Sequence, residues 1–377
     1  MVVYWTFLTN YNLKFDLIKD NEEERVIRES YKPLLRLVKD LKLKSGHAFT
    51  GWTLEQINSY EPEILENVKK LLENKTIELV AHTYGHPVLT TIPLWEAEAQ
   101  LEEGLNTELN LLSSKSTGFY PPEWFFDPTL PFIANKNNLE WMVLIGDNVI
   151  GNYGIEKEDI LTPKIVRGIN NSSIPCFFVY GGENLDIRNK MYAIIENKSS
   201  IDDLVESFSN SAGSKTKNPF IIFYMDSETP FFAKTDNNKY SFSKVEKIFE
   251  SLLSNPNLKN ISFNEYLSNF YPSSEIIPKV SESYKISNTW TERFEKLDFL
   301  IDECRNVIKQ KLNSGGDKSE IMEAWKLLML AEGSDVRSTI QPIKMKGIPI
   351  TGRKVYGNFN RLIEGYEYAL RALELLK

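Results

Sequence analysis

The first two-thirds of the chain alternate short apolar runs with stretches whose apolar residues recur at helical spacing. Strand-like runs are Val2–Leu8, Gly46–Thr50, Ile77–Ala81, Thr117–Tyr120, Trp141–Ile145, Lys164–Val166, Pro175–Tyr180, Pro219–Met225 and Asn260–Phe263. Helical patterns cover Glu22–Leu41, Ile64–Leu72, Leu94–Leu112 and Ser243–Leu253. Such alternation implies a parallel sheet with right-handed crossovers. About seven units predict a closed or nearly closed α/β barrel, with an open sheet as the alternative.

From about Lys285 the pattern becomes helical, with a strand signal only near Gly347–Ile350. The helical stretches are Trp290–Leu312, Lys318–Glu332 and Gly352–Leu376. We therefore predict a barrel domain over residues 1–284 and a C-terminal helical bundle over residues 285–377.

Composition narrows the class of protein. The chain of 377 residues is 42% hydrophobic and carries a net charge of -8, so we predict no nucleic-acid partner. Its two cysteines, Cys176 and Cys304, have no CxxC spacing, which excludes a zinc knuckle and favours buried thiols. We see no signal peptide and no 18-residue apolar run, and predict a cytoplasmic protein without membrane contact. A homo-oligomeric state is left open.

Polar side chains follow the predicted strands. They are Thr9-Asn10-Tyr11, Gly51-Trp52, His82 to His86, Glu123-Trp124, Gly146-Asp147 and Asp226 to Glu228. Because the carboxyl ends of parallel strands converge on one barrel face, we predict a shared site there. Substrate-binding roles are predicted for Asn10, Trp52, His82, Tyr84 and Trp124. Any one of these polar residues could instead cap the following helix.

The stretch Gly118–Pro131, GFYPPEWFFDPTLP, ends a strand abruptly with two prolines, which donate no backbone hydrogen bond. Glu123 then stands at the mouth of the strand beside Trp124. Aromatic residues, 12% of the chain, suit a protein that stacks rings on sugars, although large cores use them too. A proline-stiffened surface turn is the alternative interpretation.

Two carboxyl groups that flank one space are what glycoside hydrolysis requires. Glu123 is preset by the Pro-Pro step and is the predicted nucleophile. Asp226 ends the most apolar strand, where partial burial favours the protonated form of a general acid, although it could also cap a helix. Glu228 is predicted to support the site or bind substrate. A retaining mechanism predicts that the two carboxyl groups lie about 5–5.5 Å apart.

His82 and His86 raise a competing hypothesis. The sequence HTYGHP resembles the H-[ST]-x-x-H motif of polysaccharide deacetylases, which hold a divalent metal with two histidines and an aspartate. In that family the aspartate lies in a TFDD-like first strand, whereas this chain has Leu8 and Thr9 in those places. Without the carboxylate, metal binding would be weak, so we predict no metal site.

The ordered set of motifs resembles glycoside hydrolase family 57, whose catalytic domain is a distorted (β/α)7 barrel followed by a helical region. The similar stretches are Phe49–Ile57, Glu78–Leu89, Gly118–Pro131, Phe223–Phe232 and Ala324–Asp335. The resemblance implies a retaining enzyme for α-linked oligosaccharides or polysaccharides that needs no cofactor.

The resemblance also implies roles residue by residue. Glu123 matches the family's nucleophile and Asp226 its general acid/base. His86 matches a histidine that contacts the sugar in the −1 subsite, Asp335 the acid of the helical motif, and Arg188 an arginine that follows the nucleophile region.

One departure widens the range of substrates. The family's first motif, H-Q-P, is replaced by Thr9-Asn10-Tyr11, as in compact α-galactosidase-like members. We predict action on α-glucosidic or α-galactosidic oligosaccharides. The alternatives are a 4-α-glucanotransferase or branching-type transglycosylase, a metal-dependent deacetylase, and a catalytically silent sugar-binding relative.

Overall fold

One curved, mostly parallel sheet organises the protein. The structure is a computed structural model, which describes residues 2–15, 18, 21–146, 160–179, 199–203, 206, 217–228, 242–278, 295–338, 340–345, 348–355 and 360–377. The sheet contains the ten strands β1 Val3–Tyr11, β2 Ser45–Phe49, β3 Ile77–Ala81, β4 Gly118–Phe119, β5 Trp141–Ile145, β6 Lys164–Arg167, β7 Ser173–Val179, β8 Phe220–Asp226, β9 Leu258–Asn260 and β10 Glu275–Ile276.

The strand order is β10-β6-β7-β5-β4-β3-β2-β1-β8, with β9 also paired to β1. Within the described residues, β6 and β7 are the antiparallel neighbours and the other pairs are parallel. This order brings the carboxyl ends of β1, β2, β3, β4, β5 and β8 to one edge of the sheet.

Helices cover the outside of the sheet and form most of the C-terminal region. Those of the described residues are α1 Glu23–Val26, α2 Lys32–Asp40, α3 Gly51–Tyr60, α4 Pro62–Glu73, α5 Leu94–Leu112, α6 Leu130–Lys136, α7 Phe242–Ser254, α8 Phe263–Asn269, α9 Glu295–Ser314, α10 Lys318–Ala331, α11 Ser334–Ser338 and α12 Asn360–Leu375. A π-helical turn, Ile27–Tyr31, joins α1 to α2. None of the described helices is long and apolar enough to cross a membrane.

The central strands are apolar on both faces, as buried parallel strands must be. In β1, Trp5 and Phe7 pack in the layer beneath the helices, while Leu8 packs in the interior of the curl. The rings of Phe177 in β7 and Phe220 in β8 lie 5.0 Å apart across that interior. Side-chain contact therefore brings β7 close to β8, although the two strands lie far apart in the strand order. The predicted distorted barrel followed by helices is confirmed.

Several predicted boundaries need correction. Strand β1 runs on to Tyr11, so Asn10 is a strand residue that pairs in register with Asp226. The run predicted at Asn260–Phe263 divides, because Ser262 caps the helix that begins at Phe263. The helix predicted over Gly352–Leu376 is wrong at its start. Ile348–Val355 is strand β12, antiparallel to β11, Ile340–Met345, and the helix begins at Asn360.

A buried ion-pair cluster joins the helical region to the barrel. Arg305 of α9 lies 2.7 Å from Glu96 of α5 and 2.7 Å from Glu332, which follows α10. Both carboxylate side chains are 1% exposed. Burial and the charge of Glu96 raise the pKa of Glu332 well above its ordinary value. Arg305 therefore provides the positive charge that faces these two buried carboxyl groups, and Gln100 donates a further hydrogen bond to Glu332 at 3.3 Å.

Replacing Arg305 with leucine should lower the free energy of unfolding by about 3–5 kcal/mol, because two buried carboxylates lose their partner. A carboxyl group whose pKa is raised on folding binds more protons in the folded state, so stability falls as the pH rises above its ordinary pKa. Loss of Arg305 raises that pKa further. Chemical denaturation should therefore show a larger deficit at neutral pH than at about pH 5.

The matched control is Arg25→Leu. Arg25 is an arginine whose side chain is 56% exposed and pairs with Glu22 and Glu29 on its own helical segment. This substitution should change the free energy of unfolding by at most about 1 kcal/mol. Equal losses in the two variants would contradict a special role for Arg305.

Candidate active site

Glu123 is held in a strained backbone conformation at the mouth of β4. After Pro121 and Pro122, both Glu123 (φ 56°) and Trp124 (φ 51°) adopt the left-handed conformation that residues other than glycine rarely take. The Trp124 N–H donates to the Pro121 carbonyl at 3.0 Å and closes the turn. The carboxylate side chain stays 18% exposed. Such strain persists where surrounding contacts impose it, and it is concentrated at functional sites.

Two hydrogen bonds hold one oxygen of Glu123. His86 Nε2 lies 3.3 Å from Oε1, and the Ser334 hydroxyl donates to the same oxygen at 2.9 Å. His86 is itself left-handed, with φ 58°, and its carbonyl accepts the Ser334 N–H at 2.9 Å. Ser334 was not among the predicted site residues. Its only sequence signal was its place beside Asp335 in the helical motif.

Hydrogen bonds determine which ring nitrogens of the two histidines carry protons. The Thr83 N–H donates to His82 Nδ1 at 2.7 Å, so that nitrogen is an acceptor. The Nε2–H of His82 then donates to His86 Nδ1 at 2.9 Å. His86 in turn directs an Nε2–H at Glu123. In this row of hydrogen bonds both imidazoles are neutral, and His82 orients His86. His82 is fully buried, so the structure does not place His82 at the open side of the site, where a substrate would bind.

His86 reports the charges that surround it. Burial lowers its pKa, but the hydrogen bond and charge of Glu123, followed by the charges of Asp335 and Asp226, outweigh burial and raise the pKa. Three predicted acids thus act on one imidazole. By contrast, burial and the neighbouring His86 hold the pKa of His82 well below its ordinary value.

Asp226 ends β8 and is half-buried. The Tyr224 hydroxyl donates to its Oδ1, and the hydroxyls of Tyr224 and Tyr120 lie 2.9 Å apart. The ring of Trp124 packs edge-on against Tyr224 with centroids 4.4 Å apart. This aromatic group connects the neighbour of Glu123 to the hydrogen-bond partner of Asp226.

Glu228 lies behind Asp226 and is 1% exposed. Its Oε1 accepts hydrogen bonds from the Asn12 N–H at 2.8 Å and from the Tyr31 hydroxyl, while the nearby Ser227 hydroxyl donates to the Asn10 carbonyl at 2.6 Å. Burial and the charge of Asp226 raise the pKa of Glu228 to about 8. Glu228 is therefore a buried acid that holds neighbouring segments together beneath the site.

The end of β1 and the turn after it contribute two asparagines, Asn10 and Asn12, to the site. The Asn12 amide donates to Asp335 Oδ2 at 2.7 Å and so ties the helical motif to the barrel. Nothing in the sequence singled out Asn12. Asn10, beside Asp226 in register, is 5% exposed, and its Oδ1 has no hydrogen-bond partner among the described residues.

Two residues predicted to bind substrate, Tyr84 and Trp52, pack with Met329 and Leu330 of the helical region. Tyr84 is 1% exposed, and its hydroxyl donates to Glu55 at 2.8 Å while the Lys326 ammonium lies 4.9 Å from the centre of its ring. Trp52 is half-buried with the Lys14 ammonium 5.2 Å from its ring. The structure therefore places Tyr84 in the contact between barrel and helices, with its hydroxyl already used. Arg188 and Asp147 lie outside the described residues.

Within the described residues, the two histidines of the deacetylase-type motif have no third metal ligand at the positions of Leu8 and Thr9. Leu8 packs in the interior of the barrel, and the Thr9 hydroxyl donates to the Met225 carbonyl at 2.7 Å. In the part of the chain that the structure describes, no group of three His, Cys, Asp or Glu is arranged to hold a metal ion. The lone pair of His86 Nδ1 is also engaged by His82.

Comparison with known proteins identifies the family. The model of glycosyl hydrolase family 57 matches residues 2–279, and the chain belongs to that family. Similar relatives are a 4-alpha-glucanotransferase of Thermococcus litoralis, 23% identical over 70% of this chain, and an alpha-amylase of Pyrococcus horikoshii, 20% identical over 70%. The chain spans only 38% and 40% of the lengths of these two relatives.

Solved structures show the same fold over the whole chain. The 4-alpha-glucanotransferase of Thermococcus litoralis matches with a TM-score of 0.72 at 17% identity, and 60% of its chain is covered. The alpha-amylase AmyC of Thermotoga maritima matches with a TM-score of 0.72 at 12% identity, and 93% of its chain is covered. Both alignments cover 100% of this chain, including the helical region that lies beyond the family match.

The site geometry predicts that Glu123→Gln lowers the pKa of His86, because the charge and the ionic hydrogen bond that raise this pKa are lost while burial remains. NMR of the imidazole nitrogens can follow this titration, since the chain has only 3 histidines. Burial lowers the pKa of His47 to about 3, which makes it an internal reference.

The control variant is Glu98→Gln, which removes a carboxylate that pairs with Lys136 at 2.6 Å. It should leave the titration of His86 unchanged. An unchanged His86 titration in Glu123→Gln would contradict the contact between the two side chains.

Proposed function

We propose that the protein is a retaining enzyme for α-linked glucans, with Glu123 as nucleophile and Asp226 as general acid/base. The observation that carries the proposal is the carboxylate of Glu123. It is presented at a strand mouth by a strained turn, with one oxygen fixed by His86 and Ser334. Fixing one oxygen orients the other for attack on an anomeric carbon.

In the first half-reaction, the bond from the anomeric carbon to the leaving oxygen breaks as the bond to Glu123 forms. Asp226 supplies the proton to the leaving oxygen, and the Tyr224 hydroxyl holds its carboxyl group in place. In the second half-reaction, the oxygen of an incoming water or sugar hydroxyl attacks the anomeric carbon, and the bond from this carbon to Glu123 breaks. Asp226 accepts the proton of the attacking oxygen. The charge lost from Glu123 in the intermediate returns in this step.

Asn10 supports a sugar subsite beside Asp226. It stands where the first family motif carries other residues, and its buried Oδ1 has no partner among the described residues. A buried acceptor without a partner is costly, and a sugar hydroxyl could satisfy it. Asn10 is therefore proposed to bind the substrate in place of the missing motif.

The names of the relatives support the substrate class. Those reported above are a 4-alpha-glucanotransferase and alpha-amylases, which favours α-glucosidic over α-galactosidic substrates. Hydrolysis and transfer share the glycosyl-enzyme and differ in the acceptor that reacts with it. Incubation with maltooligosaccharides, aryl α-glucosides and aryl α-galactosides, followed by chromatography of the products, separates these possibilities. Turnover of α-galactosides alone would contradict the proposed substrate.

Glu123→Gln should lower turnover of aryl α-glucosides by at least about a thousandfold, because the nucleophile is lost while a side chain of similar shape remains. The measurement is release of the aryl alcohol, with circular dichroism to show that the fold persists. Glu98→Gln serves again as the control and should keep full activity. Full activity in Glu123→Gln would refute the assigned nucleophile.

Ser334→Ala should lower kcat by about 10- to 100-fold, because a hydrogen bond to a charged group contributes about 1.5–3 kcal/mol. The effect should fall on kcat more than on KM, since Ser334 orients the nucleophile and is not proposed to touch the sugar. Steady-state kinetics on an aryl α-glucoside measure both.

A matched serine provides the control. Ser116 is also buried and donates to the buried carboxyl group of Glu108 in α5 at 2.8 Å. Ser116→Ala should cost a similar hydrogen bond without lowering kcat. Equal losses of kcat in both variants would show that Ser334 acts only through stability.

A further inference from the structure

Helix α5 carries polar residues on a face that it buries. Glu96, Gln100 and Gly104 recur every four residues and therefore lie on one face of the helix. The side chains of Glu96 and Gln100 are 0% exposed. A long polar side chain is buried at little cost only where its hydrogen bonds are made. Glu96 pairs with Arg305, whereas the mechanism outlined above gives Gln100 no task.

Four hydrogen bonds join Gln100 to two segments that are distant from each other in sequence. In the loop after β3, the Tyr84 N–H donates to its backbone carbonyl at 2.9 Å and the Gly85 N–H donates to its Oε1 at 3.0 Å. At the end of α10, its Nε2 donates to the Met329 carbonyl at 3.0 Å and to Glu332 at 3.3 Å. Because a backbone N–H only donates and a carbonyl only accepts, the side-chain amide has one orientation.

Both segments lead directly to residues that contact Glu123. His86 follows the bonded residues of the loop after β3, and Ser334 comes two residues after the bonded residues at the end of α10. His86 Nε2 lies 3.3 Å from Glu123 Oε1, and the Ser334 hydroxyl donates to the same oxygen at 2.9 Å. Gln100 therefore links the two segments immediately before both contacts.

The backbone of α5 also packs directly against the loop after β3. A Cβ at Gly104 would lie 2.1 Å from the His82 carbonyl oxygen, so helix and loop are in close contact one turn after Gln100. On the other side of the loop, an isolated antiparallel bridge pairs Pro87 with Gly333. The loop is thus held between α5 and the helical region, and Gln100 is a side chain that bonds to both.

We propose that Gln100 is a positioning residue of the active site, which sets the spacing of His86 and Ser334 so that both reach one oxygen of Glu123. Gln100 is fully buried and acts through the backbone of the two segments that it joins. This inference rests on the proposed role of Glu123 as nucleophile. A displacement of about 1 Å that originates far from the reacting atoms can lower a rate by about a hundredfold.

Gln100→Met keeps the length of the side chain and removes its side-chain hydrogen bonds. The substitution should lower kcat for an aryl α-glucoside by about 10- to 100-fold with little change in KM, because the nucleophile is displaced while the contacts to the sugar remain. Steady-state kinetics measure both constants, and circular dichroism shows whether the fold persists.

A double variant tests whether Gln100 acts through the contacts to Glu123. In Gln100→Met combined with Ser334→Ala, the loss of kcat should be smaller than the product of the two single losses, because residues that act as one unit are not additive. Independent effects would multiply. A double variant whose loss equals that product would overturn the proposal.

Asn260 provides the matched control, because its side-chain amide also bridges backbone groups of two segments. Its Oδ1 accepts the Lys44 N–H at 2.7 Å, and its Nδ2 donates to the carbonyls of Trp5 at 3.2 Å and Lys44 at 3.1 Å. These groups lie near the amino ends of β1 and β2, whereas Glu123 follows the carboxyl end of β4. Asn260→Leu should leave kcat unchanged. Equal losses of kcat in Asn260→Leu and Gln100→Met would also overturn the proposal.

The titration of His86 gives a readout that does not depend on turnover. Burial lowers the pKa of His86, and the hydrogen bond and charge of Glu123 outweigh burial. Gln100→Met loosens this contact, so NMR should show His86 titrating at lower pH, in the same direction as in Glu123→Gln. Asn260→Leu should leave the titration in place. An unchanged His86 titration in Gln100→Met would contradict the positioning role.

Hydrogen exchange in the unmodified protein tests the same link without a substitution. The amides of Gly85 and Ser334 are both hydrogen-bonded, to Gln100 and to His86 respectively. If Gln100 holds the two segments together, these amides open as one unit and should show equal protection. Clearly different protection would overturn the proposal. Absence of turnover in the unmodified protein would refute the proposed function instead, and the exchange and titration data would still decide whether Gln100 couples the segments.

Discussion

The site depends on the seam where the loop after β3 meets the loop after α10. Ser334 donates its N–H to the His86 carbonyl and its hydroxyl to Glu123, so one residue of the helical region fixes two residues of the barrel. Gly85 permits this approach, since a Cβ there would lie 2.2 Å from the Met329 carbonyl oxygen. Arg305 anchors the same seam through Glu332. Glu123 is therefore positioned by contacts from both parts of the chain, although the family match covers residues 2–279 alone.

The closeness of several acids at this face of the barrel shifts the pKa values of the groups beside them. Several acids surround His86 and raise its pKa, whereas the pKa of Glu228 is raised first by burial and then by the charge of Asp226. Burial works against that charge at His86 and with it at Glu228, because it disfavours the charged form of each group. Neutral donors such as Tyr31 and Ser334 then hold carboxyl oxygens without adding further charge.

Much of the fold could be predicted from periodicity, and Glu123 and Asp226 could be singled out as acids at strand ends. Ser334, Asn12 and Tyr31 could not, because their roles arise from contacts between distant segments that no local pattern records. The π turn could not be predicted either, because its residues continue the helical pattern of their neighbours. The strand Ile348–Val355 was predicted only in part, because it depends on pairing with Ile340–Met345, which the local sequence pattern does not show.

The central claim is that Glu123 forms a covalent bond to the sugar, and the most direct measurement is capture of that intermediate. A 5-fluoro-α-glucosyl fluoride slows both half-reactions but has an activated leaving group, so the glycosyl-enzyme accumulates. Peptide mass spectrometry should then find one added fluoroglucosyl unit on the peptide that contains Glu123, and none in Glu123→Gln. A label on another residue, or turnover of the reagent with no label at all, would contradict the account.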